Sequence, residues 1–230
     1  MHIAGIQKLT LLDYPGKVAC TVFTPGCSFR CPFCHNASLV LPERERADIP
    51  EEQVLSFLKK RIGMLEGVCL TGGEPLLQRD LGSFIRQIKA LGYSVKLDTN
   101  GSNPNRLKQL MDEGLLDYVA MDIKNTPAKY GETAGVPGMD LDAVMTSVEL
   151  LMQGRIPFEF RTTVVKEFHT AEDIREIGRW LRGAPRYFLQ NFVSSGDLIR
   201  QGLHPVEEDE MRQMAGILRQ YVGEVALRGV

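Results

Sequence analysis

No stretch of the chain approaches the ~18 consecutive apolar residues of a membrane span, which excludes a helical integral membrane protein. A basic block is also missing. The 27 Lys and Arg stand against 29 Asp and Glu, for a net charge of -2, with no cluster able to neutralise a run of phosphates, so bulk nucleic-acid binding is excluded. The opening MHIAGIQKLTLLDYPGK has no charged segment followed by a continuous apolar one and does not read as a secretory leader. The expected location is therefore the cytoplasm. No internal repeat or low-complexity tract interrupts the chain, which excludes a solenoid. There are only 5 cysteines, and in a reducing compartment they do not form a disulfide framework. What is present is 43% apolar content over 230 residues, enough for one sizeable core. A single domain over 1–230 is expected, with an N-terminal extension at 1–16, the body at 17–205, and a C-terminal helix and tail at 206–230.

Short apolar runs alternate with longer amphipathic ones, the pattern of a β/α chain. The strand candidates are Lys17 to Thr24, Gly67 to Thr71, Ser94 to Thr99, Tyr118 to Ile123, Phe158 to Val165 and Arg186 to Gln190. Helical spacing follows Pro50, which is placed for a first turn, and recurs over Asp80 to Leu91, Pro104 to Glu113, Asp140 to Met152, Thr170 to Leu181 and Val206 to Tyr221. A parallel sheet with helices outside fits either an open barrel or a doubly wound sheet, and the strand faces separate the two. In SVKLDTN, Val95 and Leu97 alternate with Lys96, Asp98 and Asn100. In YVAMDIK, Val119, Met121 and Ile123 alternate with Ala120, Asp122 and Lys124. In FEFRTTV, Phe158 and Phe160 alternate with Glu159, Arg161 and Thr163. One face is apolar and the other charged, so the charged face lines a polar lumen where each charge is paired or solvated. The expected fold is α/β, a partial (β/α)6 barrel with its active site at the C-terminal strand ends; an open sheet with one wet face is the alternative.

Each motif follows a strand. The loop TPGCSFRCPFCHNASL comes after the first, TGGEP after the second, DTNG after the third and DIK after the fourth; RTTVV closes the fifth and LQN the sixth. Cys27, Cys31 and Cys34 lie within eight residues. Three thiolates suit three irons of a four-iron, four-sulfur cluster, leaving one iron open to an exogenous ligand, because Cys20 and Cys69 sit inside apolar strands and read as packing. Zinc is the runner-up, but it wants four closed ligands, and His35 is badly placed beside Cys34 to share its metal. Three unligated thiols are the remaining reading. The glycines of TGGEP allow close backbone approach, or they make a plain turn. An inward ion-pair ladder is the rival reading of Asp98, Asp122, Lys124 and Arg161. His169 reads as a loop residue before a helix capped by Thr170, with no catalytic role.

Cys27-x3-Cys31-x2-Cys34 with Phe33 before the last cysteine, followed by Gly72-Gly73-Glu74-Pro75, resembles the radical S-adenosylmethionine superfamily. DYPGK, CHN, DTNG and MDIK further resemble the activating enzymes of glycyl-radical proteins, and the similarity to the longer form of anaerobic ribonucleoside-triphosphate reductase activating proteins extends over nearly the whole chain. The resemblance implies a 4Fe-4S cluster on Cys27, Cys31 and Cys34, and S-adenosylmethionine as cofactor. It implies a cofactor-binding set of Gly72, Gly73, Glu74, Asp98, Thr99, Asn100, Lys124, Arg161 and Gln190, and a monovalent-cation site at Asp98, Thr99 and Asp122. It implies a glycyl-radical protein substrate, anaerobic ribonucleotide reductase, with a flavodoxin or ferredoxin-type electron donor and neither nucleic acid nor membrane as partner. Tyr14 stands where the family signature DGPG has a glycine. The segment from Asp13 to Lys17 precedes the first expected strand and is expected to border the opening where a partner loop enters. Two other readings share some of these motifs: a small-molecule radical enzyme resembling 7-carboxy-7-deazaguanine synthase, and a non-catalytic iron-sulfur protein.

Overall fold

The structure is a computed structural model and describes residues 1–41, 48–194 and 196–229. Its strands are β1 Gly5–Thr10, β2 Ala19–Thr24, β3 Gly67–Gly72, β4 Ser94–Thr99, β5 Tyr118–Asp122, β6 Phe158–Val164, β7 Arg186–Asn191 and β8 Glu224–Arg228. The helices are α1 Ala37–Val40, α2 Glu51–Lys59, α3 Leu81–Ala90, α4 Pro104–Asp112, α5 Tyr130–Thr133, α6 Asp142–Met152, α7 Ala171–Trp180 and α8 Glu208–Leu218. Strand order follows chain order from β1 to β8. No pairing of β8 with β1 closes the sheet among the described residues. The expected parallel α/β architecture is present, with β2 to β7 as its six anticipated strands.

Two strands were not anticipated. β1 lies in the segment expected to be an N-terminal extension and pairs antiparallel with β2, from Gly5 opposite Phe23 to Thr10 opposite Ala19, with an irregularity between Gln7 and Thr10. Its run GIQKLT is short and largely exposed, so local alternation is weak and the pairing itself makes the strand. β8 lies in the expected tail and extends the parallel ladder from β7, with Arg186 and Glu224 ion-paired across the first rung at 3.0 Å.

The chain divides into two compact units. The first comprises Met1–Ser28, Ser38–Ala120 and Arg155–Pro157, with β1 to β4 and α2 to α4. Its helices start where the local chemistry predicts. Pro50 caps α2 from just outside instead of entering the first turn, and the Asn103 side chain accepts the Arg106 N–H at the start of α4. The second unit comprises Phe29–Ala37, Met121–Gly154 and Phe158–Val230, with α5 to α8 and β6 to β8. There Thr170 and Asp173 form the reciprocal capping box that opens α7.

Asp13 to Lys17 do not border the opening expected for a partner loop. β1 runs antiparallel to β2, so the connection between them lies at the N-terminal end of β2, opposite the cysteine loop that follows its C-terminal end. Tyr14 is 3% exposed and packs with Ala19 and Tyr118, at the starts of β2 and β5. A Cβ on Gly67, the first residue of β3, would sit 2.8 Å from the Tyr14 ring. Burial, the charge of Asp117 and a hydrogen bond with Ser94 leave the Tyr14 phenol at about 12. Asp13 accepts the Thr21 hydroxyl at 2.5 Å. Tyr14 closes the bottom of this unit, which is why an aromatic residue occupies the position.

Candidate active site

In the first unit the site begins where β2 ends. Gly73 N–H donates to the Thr24 carbonyl at 2.8 Å and Glu74 N–H to the Gly26 carbonyl at 2.7 Å, stitching the turn after β3 to the backbone just before Cys27. This contact leaves no room for side chains. A Cβ on Gly73 would lie 1.9 Å from the Gly26 oxygen, and Gly72 has φ +121 with Thr24 backbone 2.4 Å from a Cβ position. The close approach these glycines permit is therefore to the cysteine loop.

Glu74 is fully buried. Its Oε1 accepts from Leu76 N–H at 3.1 Å and from the Thr99 hydroxyl at 2.8 Å, and its Oε2 accepts from Asn100 N–H at 2.7 Å. The carboxylate thus ties the β3 turn to the end of β4. The Asn100 side chain continues the chain of contacts. Its Oδ1 accepts the Ser102 N–H at 2.9 Å, which turns Nδ2 toward Cys27 Sγ at 3.5 Å and Ser28 Oγ at 3.2 Å. Below this end, Lys96 is buried on the same strand and ion-pairs with Asp98, its Nζ 3.9 Å from Cys69 Sγ. Thr21, Cys69 and Lys96 share one rung across β2, β3 and β4.

In the second unit the remaining cysteines are held from several sides. Cys31 is 7% exposed and Cys34 half-buried, with Cys34 N–H donating to the Cys31 carbonyl at 3.0 Å. Arg30 N–H donates to Ala134 at the end of α5, and Gly135 passes so close that a Cβ would meet the Arg30 oxygen at 2.0 Å. Val193 and Arg200 fasten the other side: His35 Nε2 bonds the Val193 carbonyl at 2.7 Å, and Arg200 N–H donates to Pro32 at 2.9 Å. Phe33, the aromatic residue before the last cysteine, packs against Phe168 and His169.

Asp122 at the end of β5 accepts from Lys124 at 3.1 Å and from both Nε and Nη2 of Arg161, at 3.0 and 2.9 Å. Burial alone would raise its pKa, but the two cations outweigh burial and hold it below the usual carboxylate range. Burial likewise opposes the charge of Lys124, yet the negative charge of Asp122, with that of Cys31 when ionised, leaves it above the usual lysine range. The Cys34 thiol is pushed up by burial, against a hydrogen bond from the Asn36 backbone and the Lys124 charge. Gln190 shares a rung with Thr163 and Arg228, and Glu159 is buried with Arg228 at 3.7 Å. The charged strand faces are thus inside and paired, as the alternation required.

His169, read from sequence as a loop residue without a catalytic role, is 2% exposed and bonds the Lys124 backbone. Its Nδ1 accepts the Val165 N–H at 3.1 Å, so Nε2 carries the proton and donates to the Lys124 carbonyl at 2.8 Å. Nothing in KEFHTAED signals this, because both partners are backbone groups. Val193 and Arg200 were missed as well, because each meets the loop through its backbone.

The donor set suits iron and sulfide. Cys27 receives the Asn100 amide and Cys34 the Asn36 N–H, and Lys124 adds positive charge near Cys31 and Cys34. None of the five cysteines is in a disulfide. Cys20 and Cys69 are completely buried, and burial pushes the Cys20 thiol up to about 12. Among the described residues, no three His, Cys, Asp or Glu side chains gather around a single metal ion.

Comparison with known families gives a match to the radical SAM superfamily over residues 21–181. The chain belongs to the radical S-adenosylmethionine superfamily. Membership implies a 4Fe-4S cluster and S-adenosylmethionine. The chain is similar to a protein of Methanocaldococcus jannaschii named "putative glycyl-radical enzyme activating enzyme", 31% identical and covering 99% of this chain and 96% of that one. It is also similar to 7-carboxy-7-deazaguanine synthase of Thermoplasma acidophilum, 34% identical over 50% of this chain and 52% of that one. Among solved structures, Streptococcus suis SuiB bound to precursor peptide SuiA shares the fold over 91% of this chain and 48% of its own, with a TM-score of 0.71 at 16% identity. No helix among the described residues is long and apolar enough to cross a membrane.

Proposed function

We propose that this protein is a radical S-adenosylmethionine activating enzyme that installs a glycyl radical on a partner protein, and that the partner is an anaerobic ribonucleoside-triphosphate reductase. The observation that carries the reading is the end-to-end similarity to a protein named for that activity, over 99% of this chain. Cys27, Cys31 and Cys34 would hold the cluster, which would supply the electron for reductive cleavage of S-adenosylmethionine, with methionine, 5'-deoxyadenosine and a glycyl radical as the products once the glycine Cα has given up a hydrogen atom.

The chain's own residues orient the reactants. Asn100 steadies Cys27, and Glu74 fixes Asn100 by accepting its N–H. Gly72, Gly73, Asp98, Thr99 and Gln190 complete the proposed cofactor-binding set, with Lys124 and Arg161, which pair with Asp122, as its cations for a carboxylate. The electron comes from a flavodoxin or ferredoxin-type donor.

The test is electron paramagnetic resonance on the anaerobically reconstituted protein mixed with S-adenosylmethionine, a reductant and the purified reductase. A glycyl doublet on the reductase is the expected result. Turnover of a pterin-like small molecule without any protein partner would replace this reading with the deazaguanine synthase-like one, toward which the half-length similarity points.

A further inference from the structure

Lys96 takes no part in the chemistry above, yet its side chain is 1% exposed and ion-paired with an Asp98 that is itself 12% exposed. An apolar pair of similar volume is usually at least as stable as a buried ion pair, so packing does not explain the retained charge. The pair lies on β4 directly before Thr99 and Asn100, the residues that engage Glu74 and Cys27.

The residues expected to hold a monovalent cation do not fit one. Asp98 already holds the Lys96 ammonium. The Thr99 hydroxyl donates to Glu74 and accepts the Gly101 N–H at 3.1 Å. In its own unit, Asp122 is matched by Lys124 and by both arms of Arg161. We propose that Lys96 is a built-in replacement for that cation, a positioning residue whose fixed ammonium neutralises Asp98 so that cofactor binding needs no added Na⁺ or K⁺. The inference rests on the family reading for the identity of the cofactor and is independent of the partner protein.

The experiment compares the reconstituted protein in KCl, NH₄Cl and N-methylglucamine chloride at equal ionic strength. One limb follows S-adenosylmethionine affinity by equilibrium binding. A second follows thermal melting of the cofactor-free protein, which stands even if the cofactor assignment fails. Wild type is expected to behave alike in all three salts in both limbs. Lys96→Met is expected to lose about tenfold in affinity in N-methylglucamine and to recover in K⁺ or NH₄⁺, with a melting temperature that rises in those salts. A wild type that needs K⁺ would overturn the proposal, as would a Lys96→Met variant equally impaired in every salt. If Lys96→Met does not fold, the Lys96→Met/Asp98→Asn variant removes both charges. With no carboxylate left to neutralise, it is expected to fold and to bind the cofactor alike in all three salts; binding that depends on K⁺ in that variant would overturn the proposal.

Discussion

Asn100 connects the buried carboxylate of Glu74 to the sulfur of Cys27, so its two ends can be tested separately. Removing the side chain leaves the backbone N–H on Glu74 and deletes the donor to sulfur together with the bonds to Ser28 Oγ and the Ser102 N–H. Hydrogen bonds to cluster sulfurs raise the reduction potential. Asn100→Ala is expected to assemble a full cluster by iron and sulfide analysis and to show a more negative potential in a spectroscopic redox titration. An unchanged potential would mean the 3.5 Å contact does not persist once iron is bound. The cysteines divide just as sharply. Alanine at Cys27, Cys31 or Cys34 is expected to abolish the cluster, whereas alanine at the buried Cys20 or Cys69 keeps it and costs roughly 1–2 kcal/mol of packing. Iron loss on Cys69→Ala would show that the ligands are miscounted.

The elements around β2 show what local sequence conveys and what it does not. β2 to β7 were legible because alternation and β-branched runs mark them directly, and α7 because Thr170 and Asp173 spell a cap. β1 and β8 were not, since both are short strands whose form depends on a neighbour. The cysteine triplet and the paired inward charges were readable as motifs. The residues that fix them were not: Tyr14 acts through packing at the bottom of β3 and β4, and His169 through backbone partners. Tyr14→Ala is therefore expected to cost about 3–5 kcal/mol in chemical denaturation, and Asp13→Ala, which loses one hydrogen bond to Thr21, about 1 kcal/mol, with partner activation intact in the folded fraction. His169 adds a pH dependence. Burial lowers its pKa from the ordinary 6.5, so the unfolded chain takes up the proton first and stability falls as pH drops below that value. Denaturation midpoints measured from pH 7.5 down to about 5 are expected to fall less steeply in His169→Gln than in wild type, and equal slopes would contradict the neutral assignment.

At the scale of the whole molecule, the motifs from the cysteine loop to LQN each follow the C-terminal end of a strand or lie on its last residues, while Tyr14 of DYPGK closes the first unit at the opposite end. Strand-face charges in each unit are paired within that unit, Lys96 with Asp98, and Asp122 with both Lys124 and Arg161, so each unit presents a face that carries both signs of charge. Such a face suits a polar cofactor carrying both an ammonium and a carboxylate, and the superfamily assignment supplies one. The proposed activity is tested most directly by following one hydrogen atom. The reductase is prepared with glycine deuterated at Cα, mixed anaerobically with this protein, S-adenosylmethionine and reductant, and the 5'-deoxyadenosine formed is analysed by mass spectrometry. The proposal requires deuterium in the 5'-deoxyadenosine, appearing together with the glycyl radical; 5'-deoxyadenosine that forms at full rate without deuterium would contradict it.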